Sequence, residues 1–80
     1  MKIEINKNYK EILREIERMS DIKKIISGKR VFIEENNKLD LIELVEIERD
    51  KTVVLAYSMN LLRDELTESS KKVIERIKEK

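Results

Sequence analysis

The spacing of hydrophobic residues predicts a strand followed by a helix at the start of the chain. Lys2–Ile5 alternates polar and apolar side chains, as a half-buried strand does. Asn6 or Asn8 can cap the next element, because the side-chain oxygen of asparagine accepts an orphan backbone N–H. The apolar residues of segment 9–19 recur at helical spacing, with charged residues on the opposite side. We therefore expect an amphipathic helix there.

The next part of the chain predicts a hairpin. Residues 20–21 can begin a separate short turn, which Gly28 ends because glycine readily adopts positive φ. Residues 30–34 have the pattern of a strand, and residues 36–38 that of a tight hairpin turn. Residues 39–47 fail as a helix, since their apolar side chains scatter around the helical wheel. As a strand they are apolar on both faces, which predicts a central strand or one whose outer face meets a partner.

Residues 52–58 fit two patterns. Val53, Leu55 and Tyr57 alternate well enough for a third hairpin strand. A stripe at helical spacing also begins at Leu55 and keeps its phase as far as Ile77, with no Gly or Pro to interrupt it. Because so long a stripe is improbable by chance, we favour a long helix that begins in this segment.

The first half of that expected helix carries a second apolar stripe, formed by Val54, Tyr57 and Leu61. A helix that is apolar on two sides is expected to be buried twice, once by its own sheet and once by a partner. Asn60 stands beside the stripe. It is either simply exposed or a hydrogen-bonding residue that fixes register at a subunit interface.

Together these elements predict an α+β fold with a single domain over residues 1–80. The expected order is strand–helix–strand–strand–long helix, with an antiparallel three-stranded sheet and the helices on one face. A domain of this size buries only about 60% of the surface that its unfolded chain exposes, so its core is thin. A partner or an oligomer is therefore expected.

The composition argues against most kinds of catalytic, cofactor and metal site. The 80 residues include no Cys and no His, and the formal net charge is +1. Paired carboxylates are numerous but lie in heavily charged segments, and one glycine cannot build a phosphate-cradling loop. We expect no enzyme, no catalytic residues, no cofactor, no metal and no small-molecule substrate. No apolar run approaches the ~18 residues of a membrane span, and no signal peptide precedes the first charges, so we expect a cytoplasmic protein without a membrane partner.

Basic residues cluster on both sides of Gly28, at positions 23–24 and 29–30. They either contact phosphates or balance neighbouring glutamates, and the sequence leaves both alternatives open. The chain is also rich in Lys, Glu and Ile. That composition is typical of hyperthermophile proteins and equally of AT-rich genomes.

The segment IERDKTVVLAYSMNLLR at positions 47–63 resembles the strand-to-helix segment of the Pcc family. These proteins are the small dimerising subunits of KEOPS, the archaeal and eukaryotic complex that makes threonylcarbamoyladenosine in tRNA. The similarity rests on an Asp-containing turn, the helix Leu, a Ser-apolar-Asn step, Leu-Arg and a late Val-Ile-Glu. In this sequence these are Asp50, Leu55, Ser58, Met59, Asn60, Leu62, Arg63, Val73, Ile74 and Glu75.

The resemblance implies a non-catalytic scaffold subunit that forms a homodimer and docks on the catalytic transferase. It also implies basic residues directed toward tRNA. Partner and dimer contacts are then expected at Val54, Leu55, Tyr57, Met59, Asn60, Leu61 and Leu62. The RNA-contact candidates are Lys23, Lys24, Lys29, Arg30 and Arg63.

Two other functions stay open. The first is a small RNA-binding or ribosome-binding domain of βαβββα order, in which residues 52–58 form a strand. The second is a virus- or plasmid-encoded inhibitor of a host complex.

Overall fold

The computed structural model describes residues 1–60 and 65–79, and within these ranges the chain forms five strands and two helices. In chain order the elements are β1 (Lys2–Ile5), α1 (Tyr9–Glu17), β2 (Lys24–Ser27), β3 (Arg30–Glu35), β4 (Lys38–Glu48), β5 (Lys51–Ser58) and α2 (Glu68–Lys78).

The strands form one sheet in the order β1-β5-β4-β3-β2, and every neighbouring pair is antiparallel. The α+β class and the antiparallel sheet are confirmed. The prediction of three strands is wrong, because β2 and β5 add two more. β4 is central, as its two apolar faces indicate, and it pairs with both β3 and β5.

The helices pack on one face of this sheet, which we call the inner face. They bury their apolar stripes against alternate strand residues in a single core. The helices contribute Ile12, Ile16, Val73, Ile74 and Ile77, and the strands contribute Ile5, Val31, Ile33, Ile42, Leu44, Val54 and Ala56.

Local signals determine the two tight turns and the first helix cap. Asn36 and Asn37 have φ values of 50° and 63°, as the type I′ turn between β3 and β4 requires. Gly28, with φ 60°, is the first of the two residues that join β2 to β3. Asn8 is the N-cap of α1, where its side-chain oxygen accepts a 2.9 Å hydrogen bond from the Lys10 N–H. The expected turn at residues 36–38 and the Asn8 alternative are therefore confirmed.

The prediction of a long helix beginning in residues 52–58 is wrong. This segment is strand β5, and α2 begins only at Glu68. β5 lies between β1 and β4 and carries apolar side chains on both faces, with Val54 inside and Leu55 outside. Val54 and Tyr57 of the second apolar stripe therefore lie on opposite faces of a strand. The later part of the helical stripe, Val73 and Ile77, does belong to α2 and is buried.

The short turn expected from residues 20–21 to Gly28 is present only at its start, and a strand forms the rest. Lys24–Ser27 forms the edge strand β2, which pairs with β3 through the Gly28 hairpin. Unlike Lys2–Ile5, the four residues of β2 do not alternate polar and apolar side chains, so only the pairing with β3 reveals the strand.

Two buried polar side chains attach α2 to the rest of the fold. Asp40 of β4 is fully buried, and its Oδ2 accepts hydrogen bonds from the Thr67 N–H, the Thr67 hydroxyl and the Ser70 hydroxyl at 2.8, 2.9 and 2.6 Å. At the other end of α2, the Lys7 ammonium donates to the Ile77 and Glu79 carbonyls at 2.9 and 3.1 Å. A carboxylate at the helix N-terminus and a cation at its C-terminus both complement the helix dipole.

An ion pair also connects α2 to the loop that follows α1. The Arg76 guanidinium donates to both carboxylate oxygens of Asp21, at 2.9 and 2.8 Å. This hydrogen bonding lowers the pKa of Asp21 from an ordinary 3.8 to about 2. A depressed folded-state pKa contributes stability that is present above the unfolded-state value and is lost as the pH falls toward 2.

We therefore expect Asp21→Asn to remove part of the acid dependence of folding. The free-energy difference between wild type and variant, measured by urea unfolding, should be constant above about pH 5 and shrink between pH 4 and pH 2. Arg76→Gln should show the same dependence, because it removes the other half of the pair. A difference that stays unchanged from pH 5 to pH 2 would contradict this assignment.

Candidate functional site

The face of the sheet opposite the helices, which we call the outer face, is the most distinctive surface of the molecule. Strand residues alternate between the two faces, so the neighbours of the core residues all point outward. In a chain with 44% charged residues, this face is mostly apolar. Its apolar side chains are Ile25, Phe32, Leu39, Leu41, Val45, Val53, Leu55 and Tyr57.

Four of these side chains form one continuous row across the sheet. The strand register places Ile25 opposite Phe32, Phe32 opposite Leu41, and Leu41 opposite Tyr57. Directly cross-strand side chains on one face are in contact distance, so the row is a single apolar ridge. Its two ends are the most open, since Ile25 is 68% exposed and Tyr57 is 44% exposed, whereas Leu41 between them is only 7% exposed. An apolar row with exposed ends is typical of binding surfaces.

A hydrogen-bonded ion pair lies beside the row, in the next register position. Arg30 and Glu43 are directly opposite each other, and the Arg30 Nε donates to Glu43 Oε2 at 3.0 Å. The Tyr57 hydroxyl donates to Glu43 Oε1 at 2.8 Å. The hydrogen bonds from Tyr57 and Arg30 lower the pKa of Glu43, and the Glu43 carboxylate raises the pKa of Tyr57. Glu43 is therefore ionised at neutral pH and holds the Tyr57 ring in place.

A shallow recess adjoins the Ile25 end of the row. It has a volume of about 110 Å³ and its lining includes Ile25, Phe32, Leu39 and Glu34. A recess of this size accommodates one side chain from a partner rather than a small-molecule substrate, because ligand pockets are usually about 300–1,000 Å³.

The partner-contact candidates of β5 are divided between the two faces of the sheet. Val54 is fully buried in the core, so it does not reach a partner. Leu55 and Tyr57 both lie on the outer face, and Met59, just after the strand, is 49% exposed. Leu61 and Leu62 lie outside the described residues.

Asn60 has partners within its own chain. Its side-chain oxygen accepts from the Leu39 N–H at 3.1 Å, and its amide group donates to the Leu39 carbonyl at 3.2 Å. The amide group also donates to the Ser58 hydroxyl at 3.0 Å. Asn60 thus extends the pairing of β5 with β4 by one side chain. These hydrogen bonds within the chain account for an asparagine at this position.

The basic candidates are spread over different surfaces. Lys24 points to the helix side, where its ammonium donates to the Met19 carbonyl at 2.7 Å. Arg30 is on the outer face. Lys23 lies 3.5 Å from a Glu34 carboxylate oxygen.

Lys29 lies in the β2–β3 turn. Its ammonium is 3.9 Å from a Glu46 carboxylate oxygen and 4.5 Å from the centre of the Tyr9 ring. Arg63 lies outside the described residues. The four described candidates therefore have acidic, carbonyl or aromatic neighbours and do not form one basic surface, and their contact with RNA stays a prediction.

Sequence reasoning missed Ile25, Phe32 and Glu43 as members of a site. Alternation within β3 and β4 places Phe32, Leu41 and Glu43 on the outer face, but the row appears only once the strand register is known. The signal in the sequence that pointed to this site was the apolar outer face of residues 39–47, which was expected to meet a partner.

The described residues contain no group of three or more acidic side chains arranged to hold a metal ion. Neither of the two described helices is long and apolar enough to cross a membrane. Comparisons with protein-family models, with curated proteins and with solved structures found no significant match.

Proposed function

We propose that this chain is a non-catalytic interaction module whose outer sheet face docks onto protein. The observation that carries the proposal is the cross-strand row of Ile25, Phe32, Leu41 and Tyr57, which is exposed at both ends in a highly charged chain. Aromatic and aliphatic side chains around a few oriented polar groups are the usual composition of protein interface centres.

The charges of the outer face favour protein over nucleic acid. Lys2 and Arg30, together with the Lys23 and Lys51 ammonium groups that lie 3.5 and 3.9 Å from Glu34 and Glu4, are balanced there by Glu4, Glu34 and Glu43. A nucleic-acid surface needs an excess of positive charge to neutralise phosphates. A balanced surface instead matches another protein surface that carries both signs.

RNA binding is the second candidate, and one observation favours it. β5 is a strand, as the RNA-binding alternative requires, and Phe32 and Tyr57 place two aromatic rings on one sheet face. Sheets that bind single-stranded RNA stack bases on such rings. The acidic side chains of the same face oppose this function, so we rank it second.

The narrower prediction, a homodimeric scaffold subunit of a tRNA-modifying complex that docks on a transferase, stays a prediction. It rests on the resemblance of residues 47–63, in which the family has a helix where this chain has β5. Docking through a sheet face does not depend on that helix. Inhibition of a host complex also stays open, since it too would use a protein-docking surface.

The proposal is tested by purifying tagged protein from its native source and measuring what remains bound. The wild-type chain should co-purify with a bound protein, which is either a second copy of itself or a different chain. Light scattering should give a fixed ratio of the two. Leu55→Asp should lose it, because the new carboxylate lies in the middle of the outer face. Ile47→Asp is the matched control, since Ile47 is 52% exposed but lies in the bulge of β4, outside the paired ladder.

Two results would contradict the proposal. One is a bound species that absorbs as nucleic acid and is retained by Leu55→Asp. The other is a wild type that carries nothing and behaves like Leu55→Asp at every concentration. Circular dichroism establishes that each variant is folded before its binding is compared.

A further inference from the structure

We infer that the free edge of β2 takes an extended, acidic segment of another protein as an additional strand of the sheet. This site is separate from the outer face, so the inference goes beyond the proposed function and does not rest on it. It is drawn from the backbone hydrogen-bonding pattern of β2 and from the charges beside that strand.

β2 is the last strand of the sheet, so one of its two sides has no neighbouring strand. Its pairing with β3 identifies the backbone groups on that side. The Lys23 carbonyl accepts a 3.0 Å hydrogen bond from the Glu34 N–H. In an antiparallel ladder the residues that bond to one neighbour recur at every second position. The N–H and C=O groups of Lys24 and Ile26 therefore point away from β3, toward the free edge.

These four backbone groups have no hydrogen-bond partner within the described part of the chain. Donors and acceptors that alternate along one edge match the backbone of another extended strand, and peptides bind to sheet edges in this way. A helix satisfies its own backbone groups internally, so it does not supply such partners. The free edge of β2 therefore favours an extended segment over a helix.

The two edges of the sheet differ in how they are protected. β1 places two exposed charged side chains, Lys2 and Glu4, on the outer face of its edge. Charged side chains on an edge strand discourage pairing with other chains. β2 instead has Ile25 on that face, and this side chain is 68% exposed. The ammonium of Lys24 is bound to the Met19 carbonyl at 2.7 Å on the helix side. β2 therefore offers an apolar contact to an added strand.

The strand register defines which residue the segment needs in its centre. In an antiparallel arrangement the residue opposite Ile25 lies on the outer face in a non-hydrogen-bonded pair, where side chains approach most closely. An apolar residue at that position extends the apolar row of the outer face by one more strand. The recess beside Ile25 is also lined by Lys23 and Lys24, so it adjoins the same edge.

The charges beside β2 favour acidic residues in the segment. Residues 23–27 contain two lysines and no acidic residue. The Lys23 ammonium lies 3.5 Å from a carboxylate oxygen of Glu34, and the Lys24 ammonium donates to a carbonyl. Two positive charges at this edge therefore have one acidic neighbour between them within the described part of the chain. A carboxylate opposite Lys23 supplies the missing negative charge.

The same charges argue against a second copy of this chain at the edge. Two β2 strands paired with each other would bring four lysines together with only two glutamates, one Glu34 from each copy. β3 shows the complementary pattern, because it pairs with β2 through apolar residues that are followed by Glu34. The segment is therefore expected to resemble β3, with apolar residues followed by an acidic one.

A blocked peptide with the sequence of β3, RVFIEE, is the first probe. Placed antiparallel to β2, it sets its phenylalanine opposite Ile25 and its first glutamate opposite Lys23. We expect about 1 mM peptide to slow exchange of the Lys24 and Ile26 amide hydrogens with water about tenfold by NMR, because a Kd of about 100 µM leaves about nine-tenths of the protein bound. Unchanged exchange at both amides would overturn the inference. Lost protection in β3 would also overturn it, because the peptide would then be replacing that strand.

Two substitutions at one position separate the backbone contact from the loss of a side chain. Lys24→Pro removes an N–H that faces the free edge, while the hydrogen bonds from β2 to β3 stay in place. It should weaken peptide binding about tenfold or more in an NMR titration. Lys24→Ala is the matched control, because it loses the same contact with the Met19 carbonyl but keeps the N–H, and it should bind about as wild type does. Equal binding by the two variants would contradict strand addition.

Charge reversal tests the acidic requirement at a position where folding is not at risk. The Lys23 side chain is 75% exposed, so Lys23→Glu should fold as wild type does. This variant should bind RVFIEE about threefold more weakly or worse, and it should prefer a peptide in which both glutamates are replaced by lysine. A wild type that binds the two peptides equally well would overturn the acidic segment as occupant.

Failure of this inference is distinguishable from failure of the proposed function. Leu55→Asp lies three strands away on β5, so it should bind the peptide as wild type does. Lys24→Pro should keep the protein that the outer face docks. A chain that ignores the peptide but loses its native partner on Leu55→Asp retains the docking function and contradicts only the edge site. Protection of the Lys24 and Ile26 amides without peptide, increasing with protein concentration, would assign the edge to a second copy and overturn the inference.

Discussion

Replacing Asp40 by alanine is expected to lower the free energy of unfolding by about 3 kcal/mol or more. Asp40 is fully buried, and one of its oxygens accepts three hydrogen bonds from Thr67 and Ser70. Each hydrogen bond to a charged acceptor contributes about 1.5–3 kcal/mol, and removal of the acceptor leaves buried donors unsatisfied. The N-terminus of α2 would lose both its anchor to β4 and its complementary charge.

Asp40→Asn separates the hydrogen bonds from the charge. The amide keeps one oxygen as an acceptor, and its NH₂ group occupies the side of Oδ1, which has no hydrogen-bond partner within the described part of the chain. We expect this variant to lose less stability than Asp40→Ala, about half as much. Urea unfolding followed by circular dichroism measures both. A loss below about 1 kcal/mol for Asp40→Ala would show that the network contributes little.

Neighbouring substitutions in β5 are expected to have opposite consequences. Val54→Asp should unfold the domain, with a loss of about 4 kcal/mol or more, because it places a carboxylate in a fully buried apolar position. Leu55→Asp should cost about 1–2 kcal/mol, clearly less than Val54→Asp, since Leu55 is only partly buried on the outer face but stands opposite Glu43. It should instead abolish association.

The two effects are separated by protein concentration. Unfolding is measured on the dilute purified chain, where no bound protein contributes to stability, and association is measured by light scattering at high concentration. Val54→Ala, with an expected loss of about 2 kcal/mol, keeps a folded state in which association can still be measured. Equal destabilisation by Val54→Asp and Leu55→Asp would contradict the assignment of these residues to opposite faces.

The spacing of neighbouring residues was sufficient to predict those elements whose own residues carry the pattern. The alternation of Lys2–Ile5, the helical stripe that begins at Tyr9, and the turn at residues 36–38 each have a period or a φ requirement that their own residues express. The apolar faces of β4 correctly indicated a central strand. These features depend on side chains within a few positions of each other, so the sequence contains the whole signal.

The spacing of neighbouring residues could not decide whether residues 52–58 form a strand or a helix. A strand that is apolar on both faces and a helix that is apolar on two sides present the same residues, and the phase of Leu55 happens to continue into α2. The deciding contacts are distant in the chain: β5 pairs with β1 at the N-terminus on one side and with β4 on the other. Backbone pairing with two neighbours favours the strand, and no window of a few residues contains that information.

The sequence by itself determined that these 80 residues are highly charged, free of Cys and His, and built from α and β elements with more apolar surface than one thin core uses. Only the tertiary structure decided where the remaining apolar surface lies. Register brings Ile25, Phe32, Leu41 and Tyr57 into one row and sets Arg30 opposite Glu43. The physical reason is that alternation assigns each side chain to a face, whereas pairing between distant strands assigns its neighbours.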